Sequence, residues 1–199
     1  NLKTKKMKRT VLLLVSIFLV TNILFAQEAE KKELKPALLV IDVQNAFVPM
    51  MDQSDKDRAF QMINGAIWVF ENFKLPIIRI YHQDEQWGPA TDSEGFKFDP
   101  AINVTDDQPM IIKHYGDGFN KTDLDKILKE KGINTVFLCG LSATGCVLAT
   151  FIGASNHDYK AFMVKDALLS PNANQTNTIE EIMNTVDLET MMFMFEYMK

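Results

Sequence analysis

The sequence contains little cysteine and no excess of basic residues. Its two cysteines in 199 residues exclude a disulfide framework and a cysteine-rich zinc module. The chain has 21 Lys and Arg residues against 26 Asp and Glu residues, a net charge of -5. This balance disfavours nucleic acid as a partner, because nucleic-acid binders carry a basic surplus. Hydrophobic residues make up 47% of the chain, which is enough for a folded core.

The first 26 residues differ from the rest in charge. They contain five basic residues and no acidic one, which leaves 16 basic against 26 acidic residues, a net charge of -10, for residues 27–199. After Met7, the basic pair Lys8 and Arg9 precedes an apolar run from Val11 to Ala26. A basic segment followed by an apolar segment with a small residue at its end is typical of a secretory signal peptide.

This pattern predicts three segments. Residues 1–26 form a signal peptide that is cleaved after Ala26, and residues 1–6, which precede the expected start at Met7, could be an artefact. Residues 27–35 form a charged linker. Residues 36–199 form one domain. A retained N-terminal anchor is the alternative, but the run is shorter than the ~20 apolar residues that a membrane-spanning helix needs. We therefore expect export to the periplasm or the medium, with no stable membrane span after cleavage.

Apolar runs alternate with amphipathic segments along the remaining chain. Six runs predict strands, at residues 37–41, 77–81, 110–112, 135–139, 161–164 and 190–195. Four segments predict helices, at residues 55–73, 122–132 and 145–156 and around Ile179, Ile182, Met183 and Val186. Because strands and helices alternate, we expect a single α/β domain with a six-stranded, mostly parallel sheet and helices on both faces.

The carboxyl ends of parallel strands meet at one edge of a sheet, where α/β proteins bind ligands. Asp42, His82 and Lys113 follow the first three predicted strands, and Asp166 follows the fifth. Residues 83–108 lack clear periodicity, and a connection of that length is typical of a lid or binding loop. Its aromatic residues could line a pocket or only pin the loop; they are Trp87, Phe96 and Phe98.

Cys146 lies in a turn of small residues between the fourth strand and a helix. A thiol at a helix N-terminus has a lowered pKa, which favours the thiolate. Gly140, Ser142 and Gly145 allow tight turns whose N–H groups can bind an anion, as in an oxyanion hole. A buried structural cysteine is the alternative interpretation.

Asp42 and Lys113 could assist such a nucleophile. An acid at the end of an apolar strand is well placed to act as a general base, although Asp is also common in turns. A Lys at the end of an apolar strand is partly desolvated and needs an anionic partner, although it could be a surface residue with a buried stem. Together, an acid, a cation and a thiol at one sheet edge favour nucleophilic catalysis.

Three segments in order along the chain resemble the isochorismatase-like cysteine hydrolase superfamily, which includes nicotinamidases and N-carbamoylsarcosine amidohydrolases. Residues 38–47 (LLVIDVQNAF) resemble its first strand and acid, residues 111–124 its lysine strand and the next helix start, and residues 140–150 its nucleophile turn. Asp166 and Ala167 resemble the acid that ends its fifth strand. The resemblance covers residues 36–187.

The resemblance implies a Rossmann-like hydrolase fold without a cofactor and a triad of Asp42, Lys113 and Cys146. It also implies a cis peptide bond between Leu141 and Ser142, and an oxyanion hole made by the N–H groups of Ser142 and Cys146. The implied reaction is hydrolysis of a small amide, ureido or related C–N substrate through a thioester. The implied substrate-pocket residues are Gln44, Phe47, His82, Trp87 and Phe119.

Metal binding is not expected. Nicotinamidase-type members have an Asp-x-His pair and a further His after the second strand, whereas this chain has His82 followed by Asp84 and no second His nearby. The residues before the nucleophile also differ, since Ala143-Thr144-Gly145 stands where many members have Thr-Asp-x. A true isochorismatase is disfavoured because Cys146 is present, since hydrolysis of a vinyl ether needs acid chemistry and not a thiol.

Two other functions stay open. The domain could be a catalytically silent binding or assembly module of the same fold, and Cys139 with Cys146 could form a redox switch. We interpret Cys139 as a core residue, because it lies inside an apolar strand. Members of the family often associate, so a homo-oligomer is compatible with the sequence.

Overall fold

The computed structural model describes residues 33–84, 86 and 88–198. The predicted signal peptide and Trp87 lie outside the described residues. No helix among the residues that the structure describes is long and apolar enough to cross a membrane.

One six-stranded sheet, in which every strand pairs in parallel, runs through the domain in the order β3-β2-β1-β4-β5-β6. The strands are β1 Pro36–Ile41, β2 Ile77–His82, β3 Met110–Lys113, β4 Thr135–Leu141, β5 Lys160–Leu169 and β6 Thr185–Val186. The α-helices are α1 Lys56–Asn72, α2 Leu124–Glu130, α3 Leu148–Asn156, α4 Ala173–Ile182 and α5 Leu188–Glu196. The predicted single α/β domain is confirmed, and its sheet is parallel throughout.

The central strand β1 is buried on both faces, which explains its continuous apolar sequence. Successive side chains of a strand point to opposite faces, so Leu38 and Val40 belong to one core and Leu39 and Ile41 to the other. Helices α1 and α5 cover the first core, and α2 and α3 cover the second. Helices on both faces leave the strand ends as the accessible edge.

The prediction of a strand at residues 190–195 is wrong. This segment belongs to helix α5, and the sixth strand is the two-residue β6. Asp187 starts the helix by accepting a hydrogen bond from the N–H of Thr190, and Met191 and Phe195, four residues apart, are buried together. A short apolar run does not reveal its period, so the sequence did not distinguish the two structures.

Several other boundaries differ from the prediction, two of them at residues named in the sequence analysis. Helix α4 ends at Ile182, so Val186 belongs to β6 and not to the helix. Strand β5 continues to Leu169, which places Asp166 inside the strand in a left-handed conformation, at a φ of 61°. Asp166 forms an ion pair with Arg58 of α1, 2.5 Å between Nη1 and Oδ1.

Gly140 sets the geometry of the sheet edge. Its φ is 113°, and a Cβ atom at this position would lie 2.1 Å from the carbonyl oxygen of Ile41. Only glycine fits, because it lacks the Cβ that would collide with the neighbouring strand. The pairing of β4 with β5 shifts register between Leu138 and Gly140, and the chain then turns towards Cys146.

Candidate active site

Asp42 and Lys113 meet at the carboxyl edge of the sheet. Asp42 follows β1, and Lys113 is the last residue of β3, two strands away. The Lys113 Nζ donates a hydrogen bond to Asp42 Oδ2 at 2.7 Å, and the lysine side chain is fully buried. Asp42 has a left-handed φ of 53°, as turn residues often do, but its buried side chain is bound to Lys113. Lys113 is not the surface residue of the alternative interpretation, because its side chain is fully buried.

Cys146 lies beside the Asp42–Lys113 pair, in the turn that follows β4, the strand next to β1. It lies in a π-helical turn, Ala143–Val147, between β4 and α3, and the thiol is half-buried beside Asp42. Asp42 Oδ1 has no hydrogen-bond partner among the described residues, although it is buried. One carboxylate oxygen is therefore held by Lys113 while the other can receive a proton.

The electrostatics of Cys146 differ from the prediction. Burial, together with the nearby negative charge of Asp42, raises the pKa of the Cys146 thiol to about 12, despite the opposing effect of Lys113. Burial also raises the pKa of Asp42, and Lys113 lowers it by a smaller amount. The sequence predicted that a helix N-terminus lowers the thiol pKa, whereas loss of solvent contact and the neighbouring Asp42 carboxylate both favour the neutral thiol.

The turn that carries Cys146 contains the predicted backbone features in part. The peptide bond between Leu141 and Ser142 is cis, and Gly145 has non-helical φ and ψ of -117° and -107°. Ser142 and Cys146 both line the same cavity. The oxyanion hole formed by their N–H groups stays a prediction.

His82 connects the ion pair to a second acid. Its Nδ1 lies 3.1 Å from Lys113 Nζ, and its Nε2 lies 2.6 Å from Asp84 Oδ2. Since an ammonium can only donate, Nδ1 is the acceptor and Nε2 carries the proton towards Asp84. Asp84 is not among the predicted site residues, although its position two residues after His82 is a usable signal.

Gln44 supports His82 and does not line the cavity. Its fully buried side chain accepts a hydrogen bond from the His82 N–H at 2.7 Å and donates one to the His82 carbonyl at 3.1 Å. The prediction of Gln44 as a pocket residue is therefore replaced by a supporting role, because both of its polar groups are bound to the backbone of β2.

A cavity of about 210 Å³ opens onto Cys146. Phe47 and His82 line it as predicted, and their rings meet edge to face at 5.9 Å between centroids. Met51 also lines it. The sequence points to loop 47–57 as a specificity segment but does not single out Met51, because its position depends on the turn after Phe47. The remaining lining residues are Asp42, Leu141, Ser142, Gly145 and Cys146.

Other predicted pocket residues lie elsewhere. Phe119 is buried and stacks on His157, at 4.8 Å between ring centroids, so it belongs to the core beneath α3. Phe96 and Phe98 pack against Tyr81, which supports the interpretation that they pin the loop. Trp87 falls outside the described residues.

Asp42, His82 and Cys146 each offer an atom that could bind a metal, and these atoms lie within 4.8 Å of one another. The arrangement does not fit a metal ion. The Lys113 ammonium is hydrogen-bonded to both Asp42 and His82, so a cation bound there would lie beside another positive charge. The second nitrogen of His82 is engaged by Asp84.

Cys139 belongs to the core, as predicted. It is fully buried in β4, and its thiol contacts the Leu39 carbonyl at 3.7 Å. Burial raises its pKa far above the ordinary value, and neither cysteine is in a disulfide. These features disfavour the redox-switch alternative, because the thiolate is the reactive form.

Comparison with known proteins identifies the family. The family model described as Isochorismatase domain matches residues 36–190. The chain belongs to the isochorismatase family. An isochorismatase family protein of Bacillus subtilis, YddQ, is 30% identical over 138 residues, which cover 66% of this chain and 76% of the relative.

Solved isochorismatase-like structures have the same fold. The N-carbamoylsarcosine amidase of Thermoplasma acidophilum superposes with a TM-score of 0.66 at 26% identity, over 77% of this chain and 95% of the other. The pyrazinamidase of Pyrococcus horikoshii in complex with zinc superposes with a TM-score of 0.67 at 24% identity, over 77% of this chain and 99% of the other. Members of the family are thus hydrolases of small molecules, amidases among them.

Proposed function

We propose that this protein is a cysteine hydrolase that cleaves the C–N bond of a small amide-like compound, with Cys146 as the nucleophile. One observation carries the proposal: a buried Asp42–Lys113 ion pair lies beside the Cys146 thiol, which faces a small cavity. Burying two charges carries a large desolvation cost, and apolar residues of similar volume would make the fold at least as stable. A role in catalysis explains why the charged pair is there.

The proposed reaction begins with a proton transfer. Asp42 accepts the thiol proton through Oδ1, the oxygen without a partner among the described residues, while Oδ2 stays bound to Lys113. Cys146 Sγ then attacks the carbonyl carbon, and the N–H groups of Ser142 and Cys146 stabilise the oxyanion. The protonated Asp42 delivers its proton to the leaving nitrogen, and the C–N bond breaks to give a thioester.

Hydrolysis of the thioester completes the cycle. Asp42 accepts a proton from water, and the resulting hydroxide attacks the thioester carbonyl carbon. The C–S bond then breaks, the acid product leaves, and the proton on Asp42 passes to the Cys146 sulfur, which restores the ionised carboxylate. The Lys113 ammonium opposes the rise in the pKa of the Asp42 carboxyl and stabilises the thiolate formed during attack.

Variants of the purified protein test this proposal. A panel of small primary amides, ureido acids and carbamoyl compounds identifies a substrate. Cys146→Ala should then lower turnover by about 10⁴-fold or more, because the nucleophile is lost. Cys139→Ala is the matched control and should retain turnover. A trapped acyl-enzyme, detected as a mass added to the peptide that contains Cys146, supports the thioester; near-native turnover by Cys146→Ala overturns the assignment.

A catalytically silent binding domain is the second candidate. In a silent domain, Asp42 and Lys113 would not affect the reactivity of Cys146. If Cys146 is catalytic, iodoacetamide at neutral pH should alkylate it more slowly in the Asp42→Asn and Lys113→Ala variants than in the parent protein. Equal alkylation rates in all three proteins would favour the silent domain.

We also infer that the first 26 residues direct export. The basic segment, the apolar run and Ala26 support this inference.

A further inference from the structure

The active-site cavity has an apolar wall around its reacting residues. Phe47, Met51 and Leu141 supply this wall, and Cys146, Ser142 and His82 are its polar members beside Asp42. Among the described residues that line the cavity, none is Lys or Arg. A ligand bound there therefore meets an apolar wall, three polar side chains and the Asp42 carboxylate, but no Lys or Arg among the described lining residues.

The nearby positive charge is already engaged. Lys113 is fully buried behind the cavity and is bound to Asp42 and His82, so its charge is matched by the Asp42 carboxylate. The Asp84 carboxylate lies 2.6 Å from His82 Nε2. A carboxylate on a ligand would lose its hydration in this cavity without gaining an opposite charge.

The size of the cavity restricts the ligand further. At about 210 Å³ it lies below the ~300–1,000 Å³ that is typical of pockets for larger organic ligands. It can hold an acyl group of a few carbon atoms together with the amide that reacts.

We propose that the substrates are small uncharged carboxamides with an apolar acyl group, and that amides carrying a carboxylate are excluded. This inference rests on the proposed function, because it concerns the same cavity and the same nucleophile. Since a buried charge without a partner costs several times the thermal energy, we expect an anionic amide to react about 100-fold more slowly than its neutral isostere, or more slowly still.

Alkylation of Cys146 measures this preference without a known substrate. Iodoacetamide and iodoacetate have the same size and differ in charge. In each case the sulfur displaces iodide, forms a C–S bond and gives up its proton. The two rates at Cys146, followed by peptide mass spectrometry, are divided by the rates of the same reagents with N-acetylcysteine. Cys139 serves as a buried internal control.

The expected result is a normalised rate for iodoacetate at least about tenfold below that for iodoacetamide. Equal normalised rates, or a faster iodoacetate reaction, overturn the inference while leaving Cys146 as a nucleophile. If neither reagent labels Cys146, the proposed function fails, and the inference fails with it.

A pair of variants tests whether charge is the cause. Met51→Lys places a cation at the cavity wall, and Met51→Gln is a neutral control of similar length. Only Met51→Lys should raise the iodoacetate rate relative to the iodoacetamide rate. If both variants change the ratio equally, the discrimination depends on shape or polarity, and the charge argument is wrong.

Turnover of an amide pair gives an independent measure. 4-Methylpentanamide and succinamate differ in that an isopropyl group replaces a carboxylate. We expect hydrolysis of 4-methylpentanamide. The kcat/KM for succinamate should be lower by a factor of about 100 or more. A kcat/KM for succinamate equal to or above that for 4-methylpentanamide overturns the inference.

Discussion

Asp42 and Lys113 form an ion pair that is shielded from solvent, and stability and chemistry both depend on it. The carboxylate and the ammonium are 2.7 Å apart, with at most 3% of either side chain exposed. Removing one partner leaves the other as a buried charge without compensation, which costs about 3–5 kcal/mol in comparable pairs.

Lys113→Met should lower the free energy of unfolding by about 3–5 kcal/mol and abolish turnover. The double variant Asp42→Asn/Lys113→Met, which has neither charge, should recover most of that stability but no activity. Urea unfolding of the single and double variants measures both effects. If the double variant is as unstable as Lys113→Met, the loss comes from packing and not from the charge.

The pH dependence of alkylation tests the neutral thiol. Asp42 can accept the Cys146 proton only when ionised, and burial raises the pKa of this carboxyl above 3.8. The rate should therefore fall as the pH drops through that raised pKa. Because the thiol has a pKa of about 12, no midpoint should occur near the ~8.5 that is usual for cysteine.

The measurement is the iodoacetamide rate at Cys146 between about pH 5 and 10, a range that includes the ordinary thiol pKa. Asp42→Asn is the control and should lose the acid limb, because its amide does not titrate. A sigmoidal increase centred near pH 8.5 in the parent protein would show an ordinary thiol and would contradict the assignment.

The carboxyl end of β4 determines where the Cys146 nucleophile lies. Gly140 packs against the backbone of β1 with a φ of 113°, and the turn that follows carries Ser142 and Cys146. The exact approach of these two strands holds Cys146 beside Asp42. A change in this contact acts on both stability and the site.

Gly140→Ala should destabilise the fold by about 3 kcal/mol or more, since the new Cβ collides with backbone and the conformation is strained. Gly132→Ala is the matched control. Gly132 also has a positive φ, 66°, but nothing lies within 4 Å of the added atom, so about 1 kcal/mol is expected. Thermal or urea unfolding compares them; equal losses would mean that the contact with Ile41 is unimportant.

Helix α5 differs from a strand in which of its phenylalanines it buries. In a strand, residues 193 and 195 would share one face, whereas in a helix they point in different directions. Phe195 is buried and packs edge to face on Phe70 at 5.1 Å, while Phe193 is 61% exposed. Phe195→Ala should therefore cost about 3–5 kcal/mol in unfolding free energy, and Phe193→Ala less than about 1. Similar losses for both variants would contradict the helix.

Most elements were predictable from hydrophobic patterns, for reasons that particular segments show. The continuous run in β1 reflects burial on both faces, and the helical spacing of Phe60, Ile63, Ile67 and Phe70 reflects one face of α1. The pattern failed at residues 190–195, where the five consecutive apolar residues 191–195 fit either period. The side chain of Asp187 and the packing of Phe195 on α1 settled that choice.

The uneven charge divides the chain into a basic segment, residues 1–26, and an acidic segment, residues 27–199. The basic first 26 residues should be removed on export, leaving an acidic chain that begins at Gln27 and retains every candidate site residue. Expression of the full chain in a Gram-negative host, followed by fractionation and intact-mass measurement, tests this. The periplasmic fraction should contain the mass of residues 27–199.

A variant in the apolar run provides the control. Leu13→Arg interrupts the run with a charge, so the chain should stay in the cytoplasm at its uncleaved mass. Cytoplasmic, uncleaved parent protein would contradict the export prediction and leave the fold and the site unaffected.

The amino-acid sequence by itself determined the class of the fold and the residue types at its strand ends. Repeated burial imposes patterns that a linear sequence preserves, and the carboxyl edge of a parallel sheet narrows the candidates to Asp42, Lys113 and Cys146. Only the tertiary structure decided how they interact. The buried contact of Asp42 with Lys113, the raised pKa of Cys146 and the separation of Phe119 from the cavity depend on distances across the sheet and on the water that packing excludes.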